Sequence, residues 1–110
     1  MIDSGYKLKI TPELKDFKIF HKNNLFFIKI RNNNLLNSRV GVVVSQKNTR
    51  LATKRNIIKR LIYCFFQENK VFLDNFSPPS DFLVIIMSTS FNIKEYKNIL
   101  IQKLNNAISI

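Results

Sequence analysis

The chain has 110 residues, enough to bury one modest core and too few for two, so residues 1–110 are expected to form a single domain. Lysine and arginine number 18 against 7 acids, a formal net charge of +11 that calls for a phosphate-bearing or otherwise anionic partner. No apolar run approaches the roughly 18 to 20 residues of a spanning helix, and with Cys64 as the only cysteine an internal disulfide and a cysteine-built zinc centre are both excluded.

Met1 to Lys7 lack the basic, apolar and small-residue order of a secretion signal, so a cytoplasmic protein is expected. Thr11 as N-cap, Pro12 in the first turn and Glu13 near the positive end of the dipole predict a first helix running to about His21. Leu25 to Arg31 is rich in β-branched and aromatic residues and ends in Asn32-Asn33-Asn34, which reads as a strand entering a loop. Arg39 to Ser45 has the valine density of a strand buried on both faces, close enough to the first for an antiparallel hairpin.

A second helix is expected from about Leu51 to Gln67. Pro78-Pro79 then introduces a third strand, Asp81 to Met87. Asn92 and Glu95 resemble a capping box, and Ile93, Tyr96, Leu100, Leu104 and Ala107 follow at helical spacing, so a third helix closes the chain. The resulting order suggests an α+β or α/β sandwich, with helices packed on one sheet.

The stretch Ser45 to Arg60 carries six basic residues, Lys47, Arg50, Lys54, Arg55, Lys59 and Arg60, and no acid. Helical projection puts Leu51, Ile58, Leu61, Ile62 and Phe65 on one arc, which must pack on the sheet. Ala52, Asn56, Lys59 and Tyr63 recur on another stripe, flanked by Arg55 and Arg60, so an amide, cations and a phenol line one ridge. Lysine neutralises phosphate, arginine can chelate two phosphate oxygens, and Asn56 can donate and accept at a sugar or base edge.

A merely solvated face normally mixes signs, because acids placed four residues from bases stabilise a helix. Codon bias accounts for part of the lysine and asparagine content, but not for the arginines, three of whose five lie between Arg50 and Arg60. A ribosomal or other non-catalytic RNA-binding protein fits this pattern. A transcription regulator fits less well, since it would need a turn and a second recognition helix.

Phe17 and Phe20, three apart on the expected first helix, share a face beside Lys18 and Lys22. For an arbitrary protein, that face reads as one that packs on the sheet. Phe26 and Phe27 must point to opposite faces of their strand. No catalytic residue is expected in the protein. His21, the only histidine, has no nucleophile or orienting acid near it and reads as a surface residue at a helix end, and the acids lack the spacing of a metal site.

Arg39-Val40-Gly41-Val42-Val43-Val44-Ser45-Gln46-Lys47, then Asn48-Thr49-Arg50-Leu51-Ala52, then Arg55-Asn56-Ile57-Ile58-Lys59-Arg60, resembles the signature of the bacterial ribonuclease P protein component. Asp16-Phe17 near the start and the aspartate-led strand from Asp81 extend the resemblance over nearly the whole chain. Gln46 stands at the first lysine of the motif and Ile57 at its second arginine.

The resemblance implies a sheet of three or four strands with a left-handed crossover between the Val40 and Phe82 strands. It implies a protein that binds a catalytic RNA and the 5′ leader of precursor tRNA, assisting endonucleolytic removal of the leader as part of a holoenzyme. Lys47, Arg50, Lys54, Arg55, Asn56, Lys59 and Arg60 would then bind RNA, with Phe17, Phe20, Lys18 and Tyr63 lining the leader cleft. Magnesium would be held mainly by the RNA, with no organic cofactor, no membrane association and no obligate protein partner.

Overall fold

A computed structural model describes residues 4–11, 15–44, 52–87 and 93–109. After a single turn at Ser4–Tyr6 come strands β1 (Lys18–Lys22), β2 (Phe26–Asn32) and β3 (Arg39–Val44), helices α1 (Ala52–Glu68) and α2 (Lys70–Asn75), strand β4 (Ser80–Ile86) and helix α3 (Ile93–Ile108). The four strands form one sheet in the order β1-β2-β4-β3. β1 and β4 run antiparallel to β2, while β3 runs parallel to β4.

Three features differ from the sequence-based expectation. The helix expected from Thr11 to about His21 is replaced by irregular backbone at residues 15–17 and by β1, Pro12 to Leu14 lying outside the described residues. Asp16 sits at φ 66°, a left-handed conformation that no right-handed helix continues through. Ile19 and Phe20 suit a pleated strand, in which Lys18, Ile19, His21 and Lys22 pair with β2 and Phe20 falls at a bulge.

The second difference is in strand order. β2 and β3 do not pair as a hairpin, because β4 lies between them. β4 is apolar on both faces from Phe82 to Ile86, and a central position buries it from both sides and leaves it no open edge. The third is α2, six residues long and too short to register as a hydrophobic period.

Register defines the two faces. Val42, Val84 and Ile28 lie in one row, and Val44, Ile86 and Phe26 in another. These residues join Ile58, Ile62, Phe65 and Phe66 of α1, Leu73 of α2, and Tyr96, Leu100, Leu104 and Ala107 of α3 in one core. Each large apolar side chain buried there is worth about 1.5–3 kcal/mol.

The alternate rows form the second face: Arg39, Gly41 and Val43 on β3, Asp81, Leu83 and Ile85 on β4, and Phe27, Lys29 and Arg31 on β2. Phe26 is fully buried in the core while Phe27 is half-buried on this other side, as the alternation requires. The outer edge of β3 is met by the N-terminal segment, where Lys7 bridges Val40 and the Leu8 N–H donates to the Val40 carbonyl at 2.8 Å. A Cβ at Gly41 would stand 2.8 Å from the tip of the Ile10 side chain and 3.2 Å from the Leu8 Cβ and carbonyl oxygen, so glycine lets the segment cross closely and a larger residue would push Leu8 back by a few tenths of an ångström.

Candidate nucleic-acid interface

Helix α1 buries Ile58, Ile62, Tyr63, Phe65 and Phe66 and turns Ala52, Thr53, Asn56, Ile57 and Arg60 to solvent. Lys54, Arg55 and Lys59 flank this outer side at intermediate exposure. Basic groups and an amide therefore occupy the side of the helix opposite the core, with Glu68 the only acid among α1's residues. Lys47 and Arg50 lie outside the described residues.

The ridge is rotated by about one residue from the projection, and Tyr63 leaves it. Only 6% exposed, Tyr63 belongs to the core, with the Lys7 ammonium 5.1 Å from its ring centre. Burial raises its pKa above the ordinary phenol value, partly offset by a hydrogen bond from the Val42 backbone. The phenol counts as polar in a helical projection, but its ring surface outweighs the hydroxyl, which meets the Val42 backbone of β3.

The other three cleft candidates are not brought together. Phe20 packs edge-on against Phe76 and Phe82, with ring centres 5.8 and 5.2 Å away, and so faces the helices. A bulge between Ile19 and His21 turns His21 the same way, half-buried with its ring 6.2 Å from Phe26, rather than leaving it on the surface at a helix end. Lys18 is exposed at the start of β1, opposite Ile30 of the core-facing row. Phe17 lies beside the second face of the sheet, its ring centre 4.6 Å from the Arg31 guanidinium.

That face carries a charged group spread over three strands. Asp81 is fully buried. Arg39 holds its two carboxylate oxygens through Nε and Nη2, both at 2.9 Å, Asn33 Nδ2 donates at 3.0 Å, and Arg31 Nη2 approaches at 3.4 Å. Burial by itself would raise the Asp81 pKa, but the hydrogen bonds from Arg39 and Asn33 and the charges of Arg39 and Arg31 outweigh it and hold the carboxyl below its ordinary value. The same hydrogen bond raises the Arg39 pKa against the opposing effect of burial.

Lys15, Asp16, Arg31, Asn32, Asn33, Arg39 and Asp81 surround an open, polar pocket of about 410 Å³. Alongside, the Lys29 ammonium lies 5.6 Å from the centre of the Phe27 ring. The residues that sequence reasoning did not single out as site residues are thus Arg31, Arg39, Asn33 and Asp81. Their signal is faint: charges at the ends of apolar strands, brought together only by register.

The structure describes no helix long and apolar enough to cross a membrane, and among the described residues no group of three histidine, cysteine or acidic side chains could hold a metal ion. A ribonuclease P family model matches residues 13–109. A ribonuclease P protein component from Buchnera aphidicola is 45% identical over 74 residues, spanning 66% of this chain and 60% of that relative.

Among solved structures, the ribonuclease P protein of Thermotoga maritima, in complex with a fluorophenyl thiourea, aligns with a TM-score of 0.65 at 28% identity, covering 84% of each chain. A Staphylococcus aureus ribonuclease P protein, a mutant with defective mRNA degradation activity, aligns at 0.71 and 26% identity, over 94% of this chain and 88% of that one. With a family match over nearly its entire length and the same sheet-and-helix architecture, the chain belongs to the ribonuclease P protein family.

Proposed function

We propose that this chain acts in the cytoplasm as the protein subunit of ribonuclease P, assisting a catalytic RNA in endonucleolytic removal of the 5′ leader from precursor tRNA. Lys54, Arg55, Asn56, Lys59 and Arg60, with Lys47 and Arg50 preceding them, contact the catalytic RNA. The observation that carries this is the division of α1, whose buried side belongs to the core while its outer side presents cations and an amide. Such a surface lowers the repulsion between two polyanions brought close together, and the resulting affinity falls as salt rises.

The leader crosses the second face of the sheet, where its bases stack on Phe17, with Phe27, Lys29 and Arg31 nearby and Lys18 exposed at the edge strand. Phe20 and Tyr63 support the fold beneath. Phosphodiester hydrolysis is carried out on the RNA, with magnesium held mainly there and no organic cofactor; the protein binds and positions. Reconstitution tests this. The purified chain is expected to stimulate leader cleavage by its cognate RNA at low magnesium, and no stimulation sinks the proposal.

A further inference from the structure

The residue before Phe17 is strained, and the residue before that is tied down. Asp16 holds a left-handed φ of 66°, a conformation unfavourable for a non-glycine residue that persists where surrounding contacts impose it. The Lys15 carbonyl accepts a hydrogen bond from Arg31 Nη1 at 3.0 Å. The same guanidinium lies 4.6 Å from the Phe17 ring centre and reaches Asp81 through Nη2. One planar group therefore fixes the backbone of the segment, meets its aromatic ring and is anchored to a buried acid.

We propose that Arg31 is the positioning residue for Phe17: it sets the ring's orientation on the open face of the sheet, so that a base of single-stranded RNA meets a preformed platform. Asp81, held by Arg39 and Asn33, fixes where the guanidinium sits. The inference rests on the leader reading above, and it assigns Arg31 a role exercised through Phe17 rather than through a phosphate. A lysine at position 31 keeps the charge but has no planar fork with which to hold a carbonyl, an acid and a ring at once.

The test has one arm without RNA and one with the reconstituted holoenzyme. In the free protein, Arg31→Lys is expected to shift the ring resonances of Phe17 while leaving the core methyl resonances of Val84 in place, and Asp81→Asn is expected to move Phe17 in the same direction by less. Unmoved Phe17 resonances in both variants overturn the proposal. In the holoenzyme, Arg31→Lys should raise the KM for precursor tRNA about two- to fivefold, a fraction of what one base–aromatic stack contributes, with kcat and binding of leaderless mature tRNA unchanged.

In a Phe17→Ala background the same substitution should add nothing. An equal loss in both backgrounds, with a flatter salt dependence, would make Arg31 a direct phosphate contact and overturn the positioning role. If the Phe17 resonances move but Phe17→Ala leaves KM unchanged, the leader reading fails while the positioning of the ring stands.

Discussion

The two faces of the sheet are built from the same strands and differ in almost everything else. One carries Val42, Val84, Ile28 and their neighbours beneath three helices. The other carries Arg31, Arg39 and Asp81 in adjacent strands, with Phe17 against Arg31. Alternation along each strand allows this, since each residue contributes to one face only. The covered face supplies stability through apolar area, whereas the open face fixes orientation through a few charged hydrogen bonds. Helix α1 repeats the division around its own axis.

The largest expected effect comes from damaging the covered face. Phe82→Ala removes a ring that touches Phe20, Phe72 and Phe76, and should cost about 3–5 kcal/mol in denaturant unfolding. A loss below about 1 kcal/mol would show that the aromatic cluster does not carry the fold.

On the open face, Asp81→Asn should cost about 1.5–3 kcal/mol at neutral pH, the worth of hydrogen bonds to a charged group. Because the Asp81 pKa is lowered by folding, its contribution is present above the ordinary carboxyl value of 3.8 and is lost as pH falls through the lower folded-state pKa. The gap between wild type and Asp81→Asn should therefore close in acid. A gap that persists unchanged would remove the ion pair as its cause.

Smaller effects belong to α1. Lys59→Ala should leave stability within about 0.5 kcal/mol and flatten the logarithmic salt dependence of RNA binding by about 0.7–0.9. Ile57 is 37% exposed on the outer side, so Ile57→Arg should fit without repacking and steepen that dependence by a similar amount. An unchanged slope in the Ile57→Arg variant would mean that the RNA does not reach this part of the helix.

Much of this division is legible in the chain. The valine run of β3, the apolar run of β4 and the helical spacing of Tyr96, Leu100 and Leu104 each bury what their periodicity says they bury. The basic outer side of α1 follows from the positions of its apolar residues. What is hidden is non-local. Arg31, Arg39 and Asp81 meet only because β4 enters between β2 and β3, an arrangement that no local pattern specifies. Phe20 reads as a partner of Phe17 at helical spacing, and it takes the left-handed Asp16 and the strand pairing of β1 to place them apart.

The N-terminal segment that meets β3 has a meaning beyond packing. A sheet with four strands has two open borders, and an unprotected border invites a strand from another copy. Here they are guarded differently. The bridge at Lys7 and Val40 covers part of one with the chain's own backbone. β1, at the other, has exposed lysines at both ends, Lys18 and Lys22, and a bulge that breaks its regular hydrogen bonding. A free copy is thereby shielded against edge-to-edge aggregation, and Gly41, by letting residues 8 and 10 cross closely, is part of that shield.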